Sequence, residues 1–185
     1  MKVKVTSHRL WGRRDVLNDV RALAQPCAAL VEANIGRLPH CQIIVTSPDG
    51  MLEQELRAET ALVGRPPADT TRQRLRQAAR SNHGLFGLVV PESRNRVVVL
   101  LNAHKLHRSG SGSVPVTLIH ELTHAAQLNR RGAVQEHVDY VRHAFDIAPL
   151  SPRELRIHER LSNDREAEAY RAETALTPLL GSLAA

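Results

Sequence analysis

The chain has 185 residues, 42% hydrophobic and 24% charged, a balance that fits one globular domain with a sizeable core and excludes a disordered or fibrous chain. Two cysteines exclude a disulfide framework. No apolar run approaches the ~20 residues of a bilayer span, and the basic start 1–14 lacks the apolar stretch of a conventional signal peptide. The net charge of +6 comes from 22 Arg and only 3 Lys among the 25 basic residues, which permits an acidic partner without requiring one.

These features lead us to expect a soluble cytoplasmic protein, with secretion independent of a cleaved signal left open. Aromatic residues make up only 3%, so the core must come mainly from Leu, Val and Ala. Cys27 and Cys41 read as two small buried residues.

Lys2–Thr6 alternates in polarity and is expected to form a short strand. Arg13–Asn34 carries Val16, Leu17, Val20, Leu23, Ala24, Cys27, Leu30 and Val31 at helical spacing. Pro26 should kink or split this helix, and Gly36 should stop it. Cys41–Thr46 is rich in β-branched residues and reads as a strand, ended by the turn signal Ser47-Pro48-Asp49-Gly50. Met51–Val63 reads as a helix broken by Gly64-Arg65-Pro66-Pro67.

Asp69–Arg80 is a second helix, with Arg72, Arg74, Arg76 and Arg80 and almost no apolar face. It reads as a solvated surface helix, the alternative being a patch for nucleic acid or an acidic substrate. Leu85–Val90 and Arg96–Leu101 form an expected hairpin around residues 91–95. The run Val97–Leu101 has the continuous apolarity of a strand buried on both faces. A loop at Ser109–Ser113 follows, then a helix that Ser113 can cap and Pro115 can open, running to about Gly132. Ala133–Ala148 is expected to be helical. Ser151-Pro152-Arg153-Glu154 is a sharp start for a last helix, interrupted near Ser162-Asn163-Asp164 and ended by Pro178.

The helix that Pro115 opens carries the chemistry. Val114–Asn129 is apolar around most of its circumference, as a buried helix is, and it contains His120-Glu121-Leu122-Thr123-His124. Residues four apart share a helix face, so both imidazoles can reach one metal ion while Glu121 projects beside them towards a water held there. The composition gives roughly 0.03 chance matches to this pattern. Buried histidines and a glutamate each need a partner, and a zinc ion supplies one for all three.

A catalytic zinc ordinarily has three protein ligands. One zincin class needs Gly and His at positions occupied here by Gln127 and Arg130, so a later carboxylate is the expected donor. The best stretch is Asn163-Asp164-Arg165-Glu166-Ala167-Glu168-Ala169-Tyr170. Glu166 leads, Glu168 is its rival, and Asp139, Asp164, Glu159, His137, His143 and His158 stay open. His104 and His107 read as surface residues.

His120–Gln127 together with Glu166-Ala167-Glu168-Ala169 resembles the gluzincins, His-Glu-x-x-His metallopeptidases whose third ligand is a glutamate on a downstream helix. The resemblance implies an α+β, zincin-like fold: a small twisted sheet packed on the motif helix, with the glutamate-bearing helix downstream. It implies one zinc per chain held by His120, His124 and Glu166, with Glu121 as general base. Gluzincins often carry Asp or Asn four residues after the glutamate ligand. Here that position is Tyr170, which can support a ligand or stabilise an oxyanion.

The expected organisation is one metallopeptidase-like domain over 1–185. It comprises helices and a small sheet over 1–112, the motif helix over 113–132 and C-terminal helices over 133–177. The expected activity is zinc-dependent hydrolysis of a protein or peptide substrate, with Arg96–Leu101 as the sheet edge beside the motif helix and Leu101–Ser113 as a rim of the cleft. Nucleic acid is not the expected partner, and the sequence does not give the oligomeric state. The alternatives are a secreted toxin or effector protease with one narrow protein target, and a non-enzymatic structural-zinc module that binds nucleic acid. An intact Glu121 weighs against the last, since a structural site needs no general base.

Overall fold

Four short strands, β-branched where they are buried, make one sheet. The computed structural model describes residues 3–10, 12–81 and 84–183. Strands β1 (Lys4–His8), β2 (His40–Thr46), β3 (Gly87–Ser93) and β4 (Arg96–Asn102) lie in the order β1-β2-β4-β3. The first three of that row are parallel and β3 runs antiparallel to β4. Among the described residues, seven helices accompany this mixed sheet, so the architecture is α+β. The expected first strand covers Lys4–His8, and residues 1 and 2 lie outside the described residues.

The apolar run of β4 serves two cores. Val97, Val99 and Leu101 face one side of the sheet, where α1 (Arg14–Asn34) and α5 (Ser113–Leu128) pack. Val98 and Leu100 face the other, under Met51 and Ala58 of α2 (Pro48–Val63). β4 is therefore an interior strand, paired on both sides. The edge beside α5 is β3, not Arg96–Leu101 as the sequence suggested. Its residue Gly87 lies against the Glu121 side chain. An apolar pattern reports burial of the faces and says nothing about pairing order.

Several local differences have clear causes. Pro26 sits inside a single α1, because the face formed by Val20, Ala24, Cys27 and Val31 is buried on both sides of it. Ser47-Pro48-Asp49-Gly50 opens α2 instead of making a separate turn: Gly50 N–H donates to Ser47 Oγ at 3.2 Å, and Pro48 stands in the first turn. The segment after β4 holds an unexpected helix, α4 (Ala103–Ser109), capped by Asn102, whose Oδ1 accepts from Lys105 N–H at 3.1 Å. Leu106 buries it in the core and His107 meets Asp15 of α1 at 2.7 Å, so α4 packs on α1.

The basic helix α3 (Asp69–Ser81) is mostly exposed and is tied to the end of α6 (Ala133–Ala144) through Asp146. Thr71 donates to Asp146 at 2.6 Å, and Arg74 reaches the same carboxylate at 3.2 Å. α6 follows a left-handed Gly132 and is shorter than expected. α7 (Pro152–Leu183) starts with the reciprocal Ser151/Glu154 box the sequence announces. It continues through residues 162–164 and past Pro178, where Leu176 and Leu180 dock on the core from both sides of the proline. Cys27 and Cys41 are buried free thiols, each pushed up to about 12 by burial. Among the described residues no helix is long and apolar enough to cross a membrane.

Gly50 marks where α2 crosses the end of β2. A Cβ there would stand 2.0 Å from Thr46 Oγ1, which is fully buried. Gly50→Ala should therefore cost about 1–3 kcal/mol of stability, as overpacking does. Thermal melts read this directly, and an unchanged melting temperature would show that the crossing is slack.

Candidate metal centre

α5 is helical for the reasons its sequence gives: no β-branched run long enough to resist, Pro115 in the first turn, and apolar residues on nearly every side. Ser113 does not cap it. Gly112 takes that position, and Ser113 Oγ donates to Gly110 O at 2.7 Å. Val114, Leu118, Ile119, Leu122, Ala125 and Ala126 are buried, which makes α5 the central helix of the core. Two of its buried polar side chains are paired: Thr123 donates to Ile119 O at 2.8 Å and Gln127 bridges to α7.

His120 and His124 leave the core on the side facing α7. Their Nε2 atoms stand 2.9 Å apart. Glu166 of α7 approaches both, with Oε2 3.4 Å from His120 Nε2 and Oε1 3.2 Å from His124 Nε2. Among the described residues this is the one group of three His, Cys, Asp or Glu side chains whose donor atoms converge in this way. Burial pulls the His124 pKa down, but the Glu166 hydrogen bond and the nearby Glu121 outweigh it and leave it raised. The same bond from His124 lowers the Glu166 pKa despite partial burial.

The outer nitrogens of both rings are occupied. His120 Nδ1–H donates to Glu173. His124 Nδ1–H donates to Gln127 Oε1 at 2.8 Å. The Gln127 amide is oriented by its other end, where Nε2–H donates to Arg165 O at 2.9 Å and to Glu168 at 3.0 Å. Both Nδ1 atoms thus carry protons, and two Nε2 lone pairs and a carboxylate face one point. Without an ion, His124 holds a proton against Glu166; once that proton is lost, the set offers three converging donor atoms to one cation. Tetrahedral donors ~2.0–2.1 Å from an ion stand about 3.3 Å from one another, close to the separations seen. The donor set fits zinc.

Glu121 lies on the same helix but under β3. Only 5% of it is exposed, and its side chain abuts Gly87, where a Cβ would come within 2.5 Å of Oε1. Burial pushes its carboxyl up to about 8; the His124 charge opposes this, while Glu166 and Glu173 add to it.

The remaining expected residues divide cleanly. Glu168 is turned from the histidines to Arg130, which it binds through two bonds, one of 2.8 Å. It still touches the site indirectly, because it holds Gln127. Tyr170 is 60% exposed with its ring edge-on to His120, centroids 5.1 Å apart, and its hydroxyl has no hydrogen-bond partner among the described residues. The supporting role considered for position 170 is thus filled by Glu173. Ala169 is fully buried between Glu166 and Glu173 on the face of α7 that meets α5.

Of the other candidates, Asp139 accepts from Gln135, and His143 Nδ1 accepts from Leu150 N–H. His137 and His158 face Glu59 and Glu136, and Asp164 and Glu159 are exposed. His107 is a surface residue and His104 is half-buried. Glu173 and Gln127 escaped the sequence reading, although spacing held the clue. Glu173 lies seven residues after Glu166, two turns along the same face, and Gln127 three after His124.

No protein-family model, characterised protein sequence or solved structure matches this chain.

Removing the support of His120 should be felt by the metal and not by the fold. Glu173→Ala is expected to weaken zinc binding 10–100-fold, whereas Tyr170→Phe should leave it unchanged. Competition with a chromophoric chelator measures both. Equal affinities in the wild type and Glu173→Ala would remove Glu173 from the site.

Proposed function

We propose that this chain is a zinc-dependent metallopeptidase of zincin-like arrangement, nearest in its donor set to the gluzincins. One observation carries the reading. His120, His124 and Glu166 converge from two helices on one point, and the buried Glu121 lies beside that point with its proton affinity raised. Three protein donors leave a position free for a reacting group, as in catalytic rather than structural zinc sites.

When bound there, zinc supplies Lewis acidity: it lowers the pKa of a coordinated water from 15.7 towards ~7 and polarises a carbonyl group. The protein's own residues supply the rest. Glu173 and Gln127 fix the two imidazoles with Nε2 forward. Glu121 accepts a proton from the attacking water and returns it to the leaving amine, and burial gives it a higher proton affinity than an ordinary exposed carboxylate. Tyr170, whose ring lies edge-on to His120 and whose hydroxyl has no partner among the described residues, is our candidate donor to the carbonyl oxygen.

The edge strand β3 supports a peptide substrate. Among the described residues its outer side has no strand partner, and it begins at Gly87, against Glu121. An extended chain that paired there would lie across the general base. A structural-zinc module gives no account of a carboxylate wedged beside the donors with its proton affinity raised.

Purified protein should carry about one zinc per chain by elemental analysis. Glu166→Ala should lose most of it and Glu168→Ala should retain it, with a modest loss of affinity through Gln127. Full zinc in Glu166→Ala would remove Glu166 from the ligand set.

Glu121→Gln should keep both zinc and fold while proteolysis of an unfolded protein falls roughly 10²–10⁴-fold, the usual loss when a general base is removed. Gly87→Ala should act in the same direction by displacing Glu121, again with zinc retained. Undiminished proteolysis in Glu121→Gln would refute the proposed chemistry.

A further inference from the structure

On the other face of the sheet, a cavity of about 320 Å³ opens between α2, α3, β3 and α6. That is at the small end of the ~300–1,000 Å³ of ligand pockets, room for a long side chain rather than a cofactor. Leu52 and Leu56 of α2, Leu75 of α3, Leu88 of β3 and Phe145 give it apolar walls. Leu85 and Tyr140, 48% and 39% exposed, stand on its lining as uncovered apolar surface. Leu85 and Leu88 flank Gly87 in sequence, so the cavity adjoins the strand that touches Glu121.

Two carboxylates line this apolar space. Glu55 and Glu59 are one turn apart on α2 and therefore share a face. Among the described residues Glu55 has no hydrogen-bond or ion-pair partner. Glu59 faces His137 of α6, whose Nε2 is 3.8 Å from Oε1, beyond hydrogen-bond reach. Burial, with His158 and Arg165 nearby, holds His137 down to about 4, so it is a neutral ring there. Asn102 is committed to Leu85 O and to Lys105 N–H, and Arg74 is committed to Asp146. Burial pushes Glu55 up to about 7 and, together with Glu55, pushes Glu59 up to about 8. Both carboxylates are half-buried and reach the cavity, so a cation entering it would pair with them in place of water, more strongly than at an open surface.

We infer that this cavity is a substrate subsite that selects a Lys or Arg side chain next to the bond to be cut, with Glu55 and Glu59 as the selecting residues. Those two side chains combine an apolar stem with a cationic head, and the cavity combines leucine walls with two carboxylates. A metal ion does not suit it, because His120, His124 and Glu166 are the described residues that converge as ligands and Glu55, Glu59 and His137 do not. The assignment to substrate rests on the peptidase reading.

Two measurements on the full chain test it. The first needs no turnover: n-butylguanidinium is titrated into the zinc-loaded wild type by NMR, with its uncharged counterpart n-butylurea as control. The amides of Leu88, Tyr140 and Phe145 should shift saturably with butylguanidinium and not with butylurea. A double variant, Glu55→Gln with Glu59→Gln, should bind butylguanidinium at least tenfold more weakly while keeping its zinc and its circular dichroism. Equal binding of the two probes by the wild type overturns the inference, whether or not the variant folds.

The second measurement is cleavage of a randomised peptide library. Lys and Arg should be enriched at one position beside the cut, and the double variant should lose at least tenfold of that preference. Cleavage that accepts Lys, norleucine and Glu alike overturns the inference and leaves the peptidase reading standing. Selective butylguanidinium binding with no peptide cleaved overturns the peptidase reading, and with it the assignment to substrate.

Discussion

The contact between α5 and α7 is the constraint on which the candidate site depends. The helices are far apart in sequence, and each supplies only part of the donor set. Small residues on α7, Ala169 and Ala172, are buried there, and small side chains let helix backbones approach closely. The Gln127 side chain crosses the gap and bonds to the backbone of α7 at Arg165 O. Arg130 to Glu168 and Arg165 to Glu136 tie the end of α5 and the start of α6 to the same stretch of α7. With these fastenings, Glu166 is held towards the histidines.

α5 itself is positioned by apolar packing. Its core face meets α1 and the sheet through residues that are fully buried, so His120 and His124 project from a helix anchored in the core. Glu121 is different in kind. It is a buried carboxylate on that helix, accommodated because β3 presents a glycine where any side chain would collide with it. The sheet thus contributes an absence at Gly87, and that absence sets where the carboxylate lies.

Much of this arrangement is legible in the sequence, and what is missing has a physical pattern. Periodicity located α5, and the reciprocal pairing of Ser151 with Glu154 was readable because both partners lie within one turn. Two-sided burial of Val97–Leu101 was readable because five apolar residues in a row need two covered faces. That same run did not reveal that β3 is the outer strand, since pairing order depends on contacts between distant segments. Ser47–Gly50 was misjudged because the chemistry that makes a turn also caps a helix. α4 went unseen because its seven residues are too few for a period to emerge. At the site, Glu166 was visible as part of a local pattern. Glu173 and Gln127 were not, because their roles exist only once two helices have docked.

The two imidazoles at this centre have unlike backing. His124 leans on Gln127, an amide whose donor end is already spent on Arg165 and Glu168, so its oxygen faces the ring and carries no charge. His120 leans on Glu173, a carboxylate. A carboxylate raises the basicity of the ring it accepts from, whereas an amide mainly orients it. The pair is therefore an asymmetric ligand: one ring is an electron-rich donor, the other a milder one held in its tautomer by a group that cannot titrate. The two sides of any ion bound here are electronically distinct before a substrate arrives.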